Sequence, residues 1–116
     1  MNFQLRRGTL VADPEIKTTQ NGKQMAIFSL AENHSKPVHD EKGDIVDWEE
    51  TGTSFFDCIA FGEMAEEISY FEKGEHIEVT KGFCRQNKWE DQDGNTRYDY
   101  DFIINDFEQF IPKSQQ

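Results

Sequence analysis

Ten residues in this chain change the hydrophobic period. GEMAEEISYF, residues 62–71, places Met64, Ala65, Ile68 and Phe71 at i, i+1, i+4 and i+7, with Glu63, Glu66 and Glu67 between them. That spacing gives a helix one apolar stripe and an acidic outer face. Lys73-Gly74 follows as a stop signal, a cation and then a glycine. Around it the chain alternates with period two, so any fold must fit one short helix among strands.

The strands are bounded by turn chemistry. Phe3 to Ala12 (FQLRRGTLVA) is β-rich and contains Gly8, which marks a bulge or sharp bend. Asp13-Pro14 ends it, because proline cannot donate to a ladder. Asn21-Gly22 is a hairpin signal, and Lys23 to Glu32 reads as the returning strand. HSKPVHDEKGDIVDWEETG, residues 34–52, holds Pro37, two glycines and many charges, and reads as a long flexible loop carrying Trp48. Thr53 to Phe61 is the next strand. Period two puts Phe55, Asp57, Ile59 and Phe61 on one face, and Phe56, Cys58 and Ala60 on the other.

After the helix, Glu75 to Trp89 forms a long strand weakened at Gly82, DQDGN turns the chain, and Thr96 to Ile104 returns. On the return, Tyr98, Tyr100, Phe102 and Ile104 share one side; Arg97, Asp99, Asp101 and Ile103 share the other. Phe107, Phe110 and Ile111 continue the packing. Three strands, a helix and two strands give an all-β chain with the connectivity of an OB-fold, a five-stranded Greek-key barrel with its helix between the third and fourth strands. Spacing alone leaves another small α+β fold open. The expected division is one domain over residues 1–111 and a short tail over 112–116.

Composition matters where it tests this reading. Hydrophobic residues make up only 35% of the 116, but ten Phe, three Tyr and two Trp supply large rings for a small core. Cys58 and Cys84 lie within strands without zinc or redox spacing, and read as reduced, buried small hydrophobes. No apolar run approaches the ~20 residues of a membrane span. MNFQLRRGTLVADPE also lacks a signal-peptide core, so a cytoplasmic protein is expected.

Aromatics and cations carry the candidate function. Phe55 and Phe61 share a strand face with Asp57, which suggests that this face meets water. Trp89, between Lys88 and Glu90 at a hairpin mouth, is hard to place in a core. Exposed rings on a barrel face can stack bases at ~1–3 kcal/mol each with little sequence preference. Phosphate contacts are expected from Arg7, Lys36, Lys73, Arg85, Lys88 and Arg97, with Arg6 and Lys42 further candidates. The best case belongs to Arg85, Lys88 and Arg97, which share one hairpin with Trp89.

The net charge of −11 opposes binding to a polyanion. Screening over a Debye length of about 8 Å still lets a few local cations act. Other chemistries are weaker. D-x-D-G at 91–94 lacks the remaining ligands of a calcium loop and reads as a turn. His34, His39 and His76 show no ligand spacing, and Asp99 and Asp101 read as a solvated strand face rather than a nuclease metal site. There is no P-loop and no G-x-S-x-G, so neither enzyme, metal nor cofactor is expected.

Three blocks carry a family resemblance: LVADPEIKTTQNGKQMAIFSLA, SFFDCIAFGEMAEEISYFEKGEHIEVTKGF and RQNKWEDQDGNTRYDYDFIINDFEQF. Asp-Pro-Glu, Asn-Gly, Phe-Gly-x-x-Ala-Glu, Lys-Gly and Lys-Trp-x-Asp-x-x-Gly-x-x-Arg follow one another as in bacterial-type single-stranded DNA-binding proteins. The match runs from about Met1 to Ile111. It implies an OB-fold that assembles, as a homotetramer or a dimer, and protects single-stranded DNA in replication, recombination or repair without catalysis. The family's stacking aromatics fall on Phe55, Phe61 and Trp89, and its basic path on Arg7, Lys73, Arg85, Lys88 and Arg97.

Some positions depart from the family. Its further tryptophan falls near Lys36, with no aromatic to match; Trp48, later in that segment, either compensates or packs on a neighbour. Asp57 and Glu63 stand where the family commonly has basic or neutral residues. The acidic tail that recruits replication proteins is missing from a chain that stops at FIPKSQQ, so tail-mediated recruitment is not expected. A phage or mobile-element member would fit these departures. The alternative function is an acidic OB-fold accessory factor that binds a basic protein or mimics DNA.

Overall fold

Strand alternation and three tight turns build a barrel with long arms. The computed structural model describes residues 7–111. Its elements run β1 (Arg7–Leu10), β2 (Glu15–Thr18), β3 (Gln24–His39), β4 (Ile45–Phe61), α1 (Glu63–Ile68), β5 (His76–Glu90) and β6 (Thr96–Gln109). Hydrogen bonding runs β1–β5–β6–β4–β3 and returns to β1, closing five strands as an OB-fold barrel. The helix lies between the third and fourth barrel strands, as expected. A sixth strand, β2, was not expected: beyond Asp13-Pro14 the chain rejoins the edge of β3, pairing Glu15 with Ile27 and Thr18 with Gln24. Residues Phe3 to Arg6 of the expected first strand and the 112–116 tail lie outside the described residues.

Inward residues follow the alternation. Leu10, Ala26, Phe28, Leu30, Cys58, Ala60, Ile77, Ile104 and Phe107 form the core with Ala65 and Ile68 of the helix. Phe56 meets Phe102 edge-on at 5.1 Å between ring centres, and Phe71 meets Phe107 at 5.4 Å. Both thiols are free and buried. Burial first, then the nearby Asp57 and Asp101 carboxylates, push the Cys58 thiol far above its ordinary range. Gly8 serves a close approach, not a bulge: a Cβ there would lie 2.9 Å from Leu30 Cβ. The weak point expected at Gly82 is a bulge, with register shifts on both sides of Lys81.

The helix ends at Ile68, before the Lys73-Gly74 signal. Tyr70 and Phe71 donate to the carbonyls of Glu67 and Ile68, an i to i+3 pattern that tightens the chain out of the helix. Gly74 then donates to Leu10 O, tying this connection to β1.

The largest correction concerns residues 34–52, which are not a loop. They extend β3 and β4 into an antiparallel arm, with Lys36 opposite Glu49 and Pro37 opposite Trp48. Asp40 makes this possible by closing the arm's tip. Its N–H donates to Asp44 O, its Oδ1 accepts from the N–H groups of Lys42 and Asp44, and Gly43 takes φ +87°. A second arm, the outer part of β5–β6, ends at the turn expected over residues 91–95. The arms stretch the described chain to 60 × 39 × 23 Å, with a radius of gyration of 17.5 Å. A compact chain of this length would have about 13 Å.

Candidate functional site

Strand registers decide which expected site residues share a surface. Phe55, Asp57, Ile59 and Phe61 lie outside the barrel, opposite Ala31, Ser29, Ile27 and Met25. Ile59 is in parallel register with Ile103 of β6, and Ile103 lies opposite Phe83 of β5. Alternation from that pair carries Arg85, Asn87 and Trp89, with Asp101, Asp99 and Arg97, onto the same outer side. Trp48 joins them. It lies opposite Pro37, and alternation along β3 from Ala31 to Pro37 keeps the side of Phe55, the extra residue being taken up by β4 at a bulge between His34 and Ser35.

The rings on this face are open. Phe55, Trp48 and Trp89 are 67%, 59% and 47% exposed. Trp48 and Trp89 stand on two-stranded ribbons with no second layer to cover them, and Phe55 stands on the outside of the barrel. Phe61 is half-buried, with Lys23 Nζ 5.1 Å from its ring centre. Sequence reasoning missed Lys23, which follows the Asn21-Gly22 turn; Gly62 bonds to Gln24 O, bringing the two strand ends together. Trp48 stands across the ladder from Pro37, one residue from Lys36, where the resemblance expects a tryptophan.

Cations are less available than their number suggests. Arg85 pairs with Asp101 at 3.2 Å, and Asn87 Nδ2 donates to the same carboxylate oxygen at 2.6 Å. Arg97 Nε donates to Asp91 Oδ2 at 2.8 Å. That bond, with the Asn95 and Asp93 N–H groups of the turn, holds the Asp91 carboxyl below its usual range. Lys36 faces Glu49 at 3.6 Å, on the arm side opposite Trp48. Arg7 lies over the Phe110 ring at 3.9 Å, with Glu78 also at 3.9 Å. Four of the six expected phosphate contacts are therefore already paired with carboxylates.

Lys73 and Lys88 have no ion pair among the described residues, but neither stands with Trp89. Lys73 belongs to the α1–β5 connection, where its N–H donates to Asp13 Oδ1 at 2.8 Å. Lys88 is opposite Tyr98, on the reverse of the ribbon from Trp89 and Arg85. On the outer face itself, Asp57 accepts from Ser29 Oγ at 2.8 Å. Arg6 lies outside the described residues. No cluster of His, Cys, Asp and Glu suited to a metal occurs among the described residues, and no described helix is long and apolar enough to cross a membrane.

Comparison with known proteins identifies the family and the fold. The sequence matches the Single-strand binding protein family over residues 2–110. It is 32% identical over 110 residues to a single-stranded DNA-binding protein of Clostridium perfringens, covering 93% of this chain and 65% of that one. It is 38% identical over 91 residues to one of Treponema pallidum, covering 78% of this chain and 47% of that one. The chain thus spans from about half to two thirds of these relatives' length.

Among solved structures it resembles a Plasmodium falciparum SSB in complex with ssDNA. The TM-score there is 0.74 at 19% identity, covering 95% of this chain and 94% of that one. A deletion mutant of the single-stranded DNA binding protein from Thermus aquaticus gives 0.69 at 22%, covering 97% and 53%. At these identities the likeness carries the fold alone.

Proposed function

The chain belongs to the single-strand binding protein family, and on that premise we propose that it binds and protects single-stranded DNA without sequence preference. The observation that carries this reading is the placement of Trp48, Phe55, Phe61 and Trp89 on one outer side of the barrel and arms. Successive bases stack on these rings, and each ring is worth ~1–3 kcal/mol. Arg85 and Arg97, on the same side, hold phosphates by exchanging Asp101 and Asp91 for the strand. Trp48 takes the role of the family's second tryptophan from the facing strand. The protein acts in the cytoplasm, as a homo-oligomer in replication, recombination or repair, and catalyses no reaction.

The test is tryptophan fluorescence during titration with oligo-dT at low and at moderate salt. Saturating quenching at low salt that fades as salt rises is expected, because both phosphate contact and its screening are electrostatic. No quenching, with no gel shift at low salt, would reject the reading. The same ion pairs favour a second one: a face whose cations are neutralised internally, with Asp57 among its rings, suits a basic protein partner. In that case a basic peptide, not oligo-dT, would change the fluorescence.

A further inference from the structure

The reverse of the β5–β6 arm has a composition that the DNA-binding face does not explain. Registers there pair Cys84 with Phe102, Gln86 with Tyr100, Lys88 with Tyr98 and Glu90 with Thr96. Cys84 and Phe102 still belong to the barrel, but the next two pairs extend beyond it. Tyr100 and Tyr98 are 51% and 55% exposed. They alternate along one strand, so their rings stand about 7 Å apart on the same side.

Each ring stands across the ladder from a residue that carries a donor. Gln86 Nε2 donates to Tyr100 Oη at 3.4 Å. Lys88, across from Tyr98, has no carboxylate partner among the described residues. Glu90 is the nearest acid on this side, and its Oε1 lies under the turn, 3.7 Å from where a Cβ on Gly94 would sit. The two sides of one ribbon therefore differ. The Trp89 side carries two arginines, both held by aspartates, and the Tyr98 side carries a cation that is free to meet a phosphate.

Tyrosine is a good strand former, and cross-strand pairs with Lys or Gln help hold a ribbon together. Those roles need no exposed ring opposite a lysine without an ion pair among the described residues. Two exposed rings in sequence with a free cation are the elements of a stacking platform for a single strand.

We infer that Tyr98, Tyr100 and Lys88 form a second nucleotide-binding face, so that a single strand leaving Trp89 folds around the arm and stacks bases on its reverse. This rests on the single-stranded DNA reading above and adds a path to it. Short strands fill the Trp89 side, and longer ones also occupy the tyrosines.

The experiment compares wild type, Tyr98→Ala/Tyr100→Ala and Tyr98→Phe/Tyr100→Phe, all with exposed substitutions that leave the core intact. Oligo-dT of increasing length is titrated by tryptophan quenching. Iodouracil-substituted dT is then photo-crosslinked and the joined peptides mapped. The alanine pair should bind short strands as wild type does, lose roughly 30-fold or more in affinity for long ones because two stacking rings are removed, and cover fewer nucleotides. The phenylalanine pair should behave like wild type, because the ring and not the hydroxyl stacks. Crosslinks in wild type should include Tyr98 or Tyr100.

Equal affinity and equal covered length in wild type and the alanine pair, with no crosslink to either tyrosine, would overturn the second face while leaving the Trp89 face standing. A changed oligomeric state in the alanine pair, read by sedimentation, would overturn it in favour of a contact between copies. Absence of quenching in wild type itself would overturn the parent reading and this one together.

Discussion

The barrel and its two arms are made from the same strands under different rules. Inside the barrel, β3 and β4 alternate between buried and exposed residues: Leu30, Phe28 and Ala26 point inward with Cys58 and Ala60. Past Asn33 and Thr53 the same two strands continue as a ladder with no second layer, and every residue from Val46 to Thr53 is exposed. Burial stabilises the first region by about 25 cal/mol per Å² of apolar surface. The second is held by backbone hydrogen bonds and cross-strand pairs such as Lys36–Glu49. Stability therefore lives in the barrel. Large rings remain available to a ligand in the arms because folding has no use for them there.

The strongest way to break this contrast is a cavity in the barrel. Leu30→Ala removes a fully buried side chain and should cost about 2–5 kcal/mol of unfolding free energy, read by urea denaturation. Trp89→Ala on an arm should leave the denaturation midpoint near wild type yet weaken oligo-dT binding by ~1–3 kcal/mol, alike for many sequences. Similar destabilisation by both substitutions would end the division of labour.

A smaller test concerns the arm tips. Gly43 stands at φ +87° with open space around its Cα, so Gly43→Ala pays only the left-handed backbone cost, about 1–2 kcal/mol. That cost should appear as faster amide exchange in residues 36–49. Global stability should hardly change, because the arm opens without the barrel. A matching fall in global stability would mean that arm and barrel unfold together.

The three turns also show what was legible in the sequence. Thr19–Lys23, Asp40–Asp44 and Asp91–Asn95 share one design. The first residue's side-chain oxygen accepts from the backbone N–H of the fifth, and a glycine takes the fourth place at φ +81°, +87° and +82°. TQNGK and DQDGN stood between obvious strands and were readable as turns. DEKGD has the same signal but is flanked by Pro37, His39 and acidic residues, so the segment read as a loop. An arm that buries nothing has no hydrophobic period to reveal it.

The barrel faces of Phe55 to Phe61 were legible for the opposite reason: one side had to be buried. The site was less so. Alternation put Tyr98 and Tyr100 on the side of Phe102 and Ile104, but could not show where that side leaves the core. Nor could it show that Arg85 faces Asp101, which depends on register across a hairpin with a bulge at Lys81.

The finest test acts on that pair. Asp101 accepts from Arg85 and Asn87 through one carboxylate oxygen, so a phosphate reaching Arg85 must compete with it. Asp101→Asn keeps the shape and an acceptor while removing the charge, and brings the net charge from −11 toward neutrality. A partly exposed ion pair is worth about 0–1 kcal/mol. The substitution should therefore tighten oligo-dT binding by no more than about five-fold at low salt, with the gain shrinking as salt screens the released guanidinium. Fluorescence titration at two salt concentrations reads this directly. Tighter binding would mark Asp101 as a competitor that keeps the strand easily displaced. Weaker binding would mark it as the group that aims Arg85 at the strand, and would make the paired cations part of the site's geometry rather than a tax on its affinity.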